Sequence, residues 1–347
     1  MDPFTQGVFG SLFAQAGARR KHLRPAAAVG FAGGLAPDLD VLIRSSTDSL
    51  LAIEYHRHFT HSLAFIPAGA LLVALLAWPL VSRWRPDVKF ARIYLWSLLG
   101  VGSHGLLDAM TSYGTRLLWP FSDGRVAWNV ISVIDPLFTV PLVLLLGLAL
   151  WKQSRKGARI AALWAVFYLA IGTLQQHRAE NIVEHWAENA GIEASRVLAK
   201  PSFANLVLWR GLVDDGQRMH IVAVRILPGR QALVWPGPSV PHYRGGDGDN
   251  NRDNNWPADS RLARDLERFR HFSSDWTFRY YSYDEKPFIF VGDLRYAIDP
   301  ASQRPLWGVR LDPENPSGPA QFERPPQITE SEREAFFDRL LGRDPPP

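Results

Sequence analysis

The residues best equipped for chemistry sit in one short stretch, His56-Arg57-His58-Phe59-Thr60-His61-Ser62, which sets three imidazoles and a guanidinium within six residues. Two further polar clusters can meet it: Pro37-Asp38-Leu39-Asp40, and His104 with Asp108 inside an apolar run. His104 and Asp108 are four apart, which places both on one helix face where an imidazole and a carboxylate can grip one cation. The competing reading is a His–Asp hydrogen bond that tightens a helix bundle. Asp38 and Asp40 cannot share a helix face, but in a turn after Pro37 both can reach one ion. Their competing reading is helix termination with solvation. His56 and His61 are five apart and suit a loop entering a helix, with Thr60 or Ser62 as N-cap.

The candidate metal ligands are therefore Asp38, Asp40, His56, His61, His104 and Asp108. The chain has no cysteine, which excludes a thiolate site and a disulfide framework. Several His with carboxylates and no sulfur suit a divalent metal, Zn²⁺ first, with Mn²⁺ or Fe²⁺ as the other candidates. Such an ion lowers the pKa of bound water and stabilises developing oxyanion charge, which is hydrolysis chemistry. Arg57 and Asp38 are the candidate catalytic residues. Arg57 can hold a phosphate bidentately beside the opening of the site; the alternatives are a salt bridge to Asp38, Asp40 or Glu54, or a lipid headgroup contact. His58 reads as solvent-facing, and Asp135 before Pro136 as an N-cap rather than a ligand. No serine elbow, Walker loop or dinucleotide fingerprint competes.

These residues lie at the ends of apolar segments. The mean hydropathy of −0.09 looks soluble, but the apolar 47% crowds into the first half of the 347 residues. Residues 63–81 carry no charge and are long enough to cross a bilayer. Further spans are expected at 93–110, 136–151 and 160–176. Segment 3–18 is too short for a span. Segment 25–43 carries Gly30, Gly33 and Gly34, which allow close helix contact in a membrane bundle. The basic loops 82–92 and 152–159 belong in the cytoplasm by the positive-inside rule. That orientation sets every candidate site residue at or near the outer face and carries the chain outside after 176. No removable signal peptide is evident. The net charge of +4 reads as loop arginines beside spans, and no nucleic acid is expected as a partner.

A multi-pass (polytopic) α-helical membrane domain over 1–176 is thus expected in the cytoplasmic membrane, followed by a connecting amphipathic helix over 177–200. A small extracytoplasmic α+β domain over 201–347 completes the chain. Its strands are expected at 206–213, 220–226, 276–283, 288–291 and 306–311, and its helices at 258–272 and 329–341. A polar Gly/Asp/Asn loop is expected at 244–255 and a disordered tail at 343–347.

Five motifs in order carry a family resemblance: Asp2-Pro3-Phe4-Thr5-Gln6 with Gly10, Pro37-Asp38-Leu39-Asp40, His56 to Ser62, His104-Gly105-Leu106-Leu107-Asp108, and Trp119-Pro120-Phe121. Over residues 1 to about 150 the chain resembles the bacterial membrane-bound, predicted metal-dependent hydrolases typified by the inner-membrane protein YdjM. Beyond 200, Pro201, Asn205, Leu208-Trp209-Arg210 and Gly292-Asp293-Leu294-Arg295-Tyr296 look like the soluble tail of longer members. That family is similar in motif logic to zinc-dependent phospholipase C and P1-type nucleases, which implies a helical fold and phosphoester hydrolysis. Members have Thr-His where this chain has Thr5-Gln6, and an amide oxygen is the poorer Zn²⁺ donor. The expected function is hydrolysis of a lipid or lipid-linked phosphoester, reached from the bilayer, with a metal-activated water. The alternative is a non-enzymatic membrane protein with a structural metal site and a partner- or polymer-binding outer domain. An ion pathway is disfavoured, because the spans are polar at one end only.

Overall fold

The computed structural model describes residues 1–245, 256–285, 287–325 and 328–343. The loop expected at 244–255 lies outside them from residue 246 on, as does the tail after 343. The chain forms two compact units, one of Met1–Leu42, Tyr55–Leu174 and Phe203–Asn205, the other of Ile43–Glu54, Gln175–Ser202 and Leu206–Pro347.

The first unit is helical. It contains α1 (Pro3–Gly17), α2 (Leu23–Leu35), α4 (Ile66–Trp84), α5 (Phe90–Ala109), α6 (Pro136–Trp151) and the start of α7 (Arg155–Asn189); the short α3 (Leu51–Tyr55) precedes the histidine stretch. Asp2 caps α1 by accepting the Thr5 N–H, with Pro3 in the first turn, where a missing N–H costs nothing. α1 packs against α2 and α5, and α4 against α5. Glycine makes this approach possible. A Cβ on Gly30 would lie 2.5 Å from the Gly10 carbonyl oxygen, and one on Gly100 would lie 2.6 Å from that of Gly30. Leu23, Val29, Ala74, Ile93 and Trp96 fill one part of this core.

The outer helices invert the usual pattern. Leu72 and Leu76 on α4, Leu144 on α6, and Leu163 and Phe167 on α7 are each more than half exposed. Long runs of exposed apolar side chains are a surface for lipid rather than water. Two stretches are long and apolar enough to cross a membrane, Leu63–Trp84 and Arg155–Asn189. Two of the four expected spans thus qualify by length and composition. The expected 136–151 forms an apolar helix at those bounds but has only 16 residues. The expected 93–110 forms α5, whose inward face carries His104 and Asp108.

The separate helix expected at 177–200 is corrected: residues 177–189 continue α7, and β1 (Arg196–Pro201) begins soon after. The second unit then holds two four-stranded antiparallel sheets. The first is β1, β2 (Leu208–Asp214), β3 (Arg218–Arg225) and β4 (Leu233–Pro241); the second is β5 (Thr277–Arg279), β6 (Ile289–Asp293), β7 (Gly308–Leu311) and β8 (Gln321–Glu323). Leu212, Ile221, Val240, Trp276, Phe278 and Leu294 form one shared core. Helix α8 (Arg261–Phe272) starts at the Ser260 cap, and α9 (Glu330–Leu341) at a capping box of Thr329 and Glu332.

Candidate metal centre

Three elements of the first unit deliver the cluster. A 3₁₀ segment, Ala36–Leu42, follows α2, includes Pro37 and presents Asp38 and Asp40. A tight turn, Phe59–His61, presents His61. α5 supplies His104 and Asp108 from one face, with His104 Nε2 3.5 Å from Asp108 Oδ2. The turn can lie against α5 only because residue 105 is glycine: a Cβ there would sit 2.3 Å from the His61 carbonyl oxygen. Ser62, not Thr60, provides the cap, accepting the Phe65 N–H.

The ring nitrogens that face away from the cluster fix the tautomers. His104 Nδ1 lies 2.6 Å from the Gly34 carbonyl oxygen, which can only accept, so Nδ1 carries the proton. His61 Nδ1 lies 3.2 Å from Asp40 Oδ2 and 3.0 Å from Thr60 Oγ1, whose own hydrogen goes to Asp40. With both rings neutral, the two Nε2 atoms turn lone pairs toward each other, 2.9 Å apart. Asp38 Oδ1 lies 3.4 Å from His61 Nε2 and 3.5 Å from His104 Nε2. Asp108 Oδ2 lies 3.3 Å from His61 Nε2.

Four acceptors thus converge where donors are needed. A tetrahedral ion with bonds of about 2.0–2.1 Å separates its ligand atoms by about 3.3–3.4 Å. The carboxylate–imidazole separations of 3.3–3.5 Å match that cage, the imidazole pair at 2.9 Å is tighter, and Asp38, His61, His104 and Asp108 form a group that could hold one metal ion. Burial pulls the His61 imidazole down, but the carboxylates of Asp108, Asp38 and Asp40 raise it to about 10. Burial would raise the Asp40 carboxyl, while hydrogen bonds from His56 and His61 hold it below the usual carboxylate range. The cluster is short of positive charge, a need met by protons or by a cation.

Asp38, Asp40 and His56 form a second group of candidate ligands, sharing Asp38 with the first. His56 Nδ1 lies 2.9 Å from Asp40 Oδ1. Oδ2 of Asp40 accepts the Arg57 N–H at 2.9 Å and the Thr60 hydroxyl at 2.9 Å.

Arg57 does not stand beside an opening. Its side chain is 3% exposed, its Nε lies 3.1 Å from Asp108 Oδ2, and its Nη1 donates to Thr111 Oγ1 at 2.7 Å. The guanidinium stacks on Tyr113, and the residue holds a left-handed φ of 63°. The salt bridge considered for it goes to none of Asp38, Asp40 or Glu54; Glu54 pairs with Arg268 in the second unit. His58 points away from the cluster, though not into open solvent, and meets Arg116 at 2.7 Å. Asp135 caps α6 through the Leu137 and Phe138 N–H groups and accepts the Tyr168 hydroxyl at 2.8 Å. Gln6 donates to Asp108 Oδ1 at 2.8 Å, and the Met1 amine reaches the same oxygen. Thr111 and Tyr113 were not singled out in the sequence. A threonine three residues beyond Asp108 was the available signal.

The model of a family described as the YdjM inner membrane protein matches residues 1–179. An uncharacterized protein of Bacillus subtilis (strain 168), YfhP, is 33% identical over 120 residues, which is 35% of this chain and 35% of that protein. The likeness thus spans about a third of the relative's length. No solved structure matches.

Proposed function

The chain belongs to the YdjM inner membrane protein family, and from that premise we propose that it is a membrane-bound metal-dependent hydrolase of a phosphoester. The carrying observation is the meeting of two imidazole lone pairs and two carboxylate oxygens at tetrahedral spacings, with the far ring nitrogens already protonated toward Gly34 and Asp40. Asp38, His61, His104 and Asp108 would hold the ion, with Zn²⁺ favoured by the donor set and Mn²⁺ or Fe²⁺ alternatives. A bound divalent ion supplies an activated water and charge stabilisation at neutral pH. Arg57 acts as a positioning residue: its guanidinium neutralises and aims Asp108. Asp40 orients His61 in the manner of a carboxylate behind a metal-bound imidazole.

The exposed apolar faces of α4, α6 and α7 support a substrate that travels in the leaflet, a lipid or lipid-linked phosphoester. The basic loops 82–92 and 152–159 support a multi-pass topology in the cytoplasmic membrane with the second unit outside. A second reading has a specific observation behind it: four protein ligands close a tetrahedral ion, as structural sites do, whereas hydrolytic ions keep a position open.

Metal analysis of the purified chain in detergent, beside Asp108→Ala, tests the proposal. Bound divalent metal in the wild type, its loss by at least a hundredfold in affinity in the variant, and chelator-sensitive turnover of a phosphoester are expected. Stoichiometric metal without hydrolysis across a broad phosphoester panel would establish the structural reading. Absence of metal would end both.

A further inference from the structure

The two groups of candidate ligands share one residue, and we propose that Asp38 bridges two cations, a closed one held with His61, His104 and Asp108 and an open one held with Asp40 and His56. This inference rests on the metal reading above and says where that site meets water and substrate.

Four observations support it. First, one ligand atom from each of Asp38, Asp40 and His56 lies within 4.8 Å of the others, close enough for one ion to touch all three. Secondly, Asp38 has an oxygen to spare. Its Oδ1 faces the two Nε2 atoms, while its Oδ2 is buried and has no hydrogen-bond partner among the described residues. A buried carboxylate oxygen left without a donor is costly unless a cation takes it. Thirdly, Asp40 is already aimed. The Arg57 N–H and the Thr60 hydroxyl occupy Oδ2 and fix the carboxylate plane, which presents Oδ1 to the His56 side at 2.9 Å. The left-handed backbone at Arg57 is what brings that N–H to Asp40, and strain of this kind persists where the surroundings over-determine it.

The fourth observation is exposure. The side chains of His61, His104 and Asp108 are 0% exposed, against 27% for His56 and 14% for Asp38. The first group reaches solvent only through the shared Asp38 and supplies four ligands; the second supplies three and adds the more exposed His56, with Asp40 buried behind it. Open coordination positions, which hydrolysis needs, therefore belong to the His56 side. A shared carboxylate also sets two ions at the close separation used to clamp both oxygens of a phosphoryl displacement. The objection that four ligands make a structural site then applies to the inner ion alone.

The test uses the full chain, stripped of metal in detergent and titrated with Mn²⁺. Two equivalents are expected by calorimetry and elemental analysis, the second weaker, with an exchange-coupled pair in the electron paramagnetic resonance spectrum at two equivalents. His56→Gln should weaken the second equivalent at least tenfold and leave the first in place. Asp38→Ala should weaken both. A wild type that binds one equivalent, or that shows only isolated Mn²⁺ when two are bound, overturns the bridge while the four-ligand site stands. A wild type that binds none overturns the site itself. The spectrum is read on the unaltered protein, so a variant that fails to fold cannot rescue the proposal.

Discussion

Asp108 in the helical unit and Asp293 in the second unit are both fully buried carboxylates beside an arginine, yet their surroundings are opposite. Asp293 is enclosed by donors: Arg295 gives its backbone N–H, its Nε and its Nη2, and Trp307 gives Nε1 at 3.1 Å. Every strong lone pair there has a hydrogen. Asp108 has donors on its far side, the Met1 amine and Gln6 at Oδ1 and Arg57 Nε 3.1 Å from Oδ2, but it also turns Oδ2 toward two imidazoles whose Nδ1 atoms face other acceptors, and across from it stands a second carboxylate. The first arrangement is complete as protein and is structural. The second leaves lone pairs facing one another that a cation could complete. The distinction lies in the direction of the hydrogens rather than in how many charges are buried.

Removing the carboxylate that is complete should damage the fold and spare the metal. Asp293→Ala leaves the Arg295 guanidinium buried without its ion pair, a loss of about 3–5 kcal/mol. Unfolding in denaturant should show that loss, while the metal content of the folded fraction stays at the wild-type value. A stable Asp293→Ala variant, or one that loses metal, would break the contrast.

Among the described residues of the second unit, Lys200 departs from this pattern. Lys200 is 7% exposed and has the Tyr296 ring 4.1 Å from its Nζ where other buried cations here have oxygen acceptors. Burial, then the neighbouring Arg210, pulls its amine down to about 7. Between that value and the ordinary 10.5 of an unfolded chain, the unfolded state binds the extra proton. Stability therefore rises with pH through this window, and below about 7 the full penalty of the buried charge is present. Lys200→Met should remove that rise and stabilise the protein at pH 7 by a few kcal/mol, discounted for relaxation around the amine. Thermal unfolding in detergent at neutral and alkaline pH reads both effects. An unchanged pH slope would show that the amine is charged in the fold.

Much of the site was legible because its spacing is local. The i,i+4 pair His104 and Asp108 and the turn after Pro37 follow from helix and turn geometry alone, and the structure brings both to His61. Gly30, Gly33 and Gly34 likewise announced a close crossing, and Gly100, not singled out in the sequence, lies against them. The position of Arg57 was not legible, because it depends on a left-handed backbone and on Thr111 and Tyr113, which are distant in sequence. β4 was missed because Pro236, Pro238 and Pro241 mask an edge strand, the one place in a sheet where proline is tolerated. The continuation of α7 past 176 was hidden by a change from apolar to charged composition within one 35-residue helix.

The smallest expected effect concerns Gln6, where the family resemblance places a histidine. Its Nε2 donates to Asp108 Oδ1 at 2.8 Å and to the His104 carbonyl at 3.3 Å, so the amide organises the cluster from behind. Its Oε1 is buried and has no hydrogen-bond partner among the described residues, one more acceptor on the acceptor-rich side of the contrast. Gln6→His keeps an N–H for Asp108, removes that stranded oxygen, and makes Asp108 more basic toward a cation. Groups that act on a metal through its ligands change affinity by about ten- to a hundredfold when lost, and a substitution that improves one of them should lie at the low end. The variant is therefore expected to bind Zn²⁺ about tenfold more tightly at unchanged stoichiometry, read by competition with a chromophoric chelator. An added equivalent of metal would instead make position 6 a ligand position in its own right. An unchanged affinity would mean that Asp108 is already fully organised by Arg57, and that the glutamine is only packing.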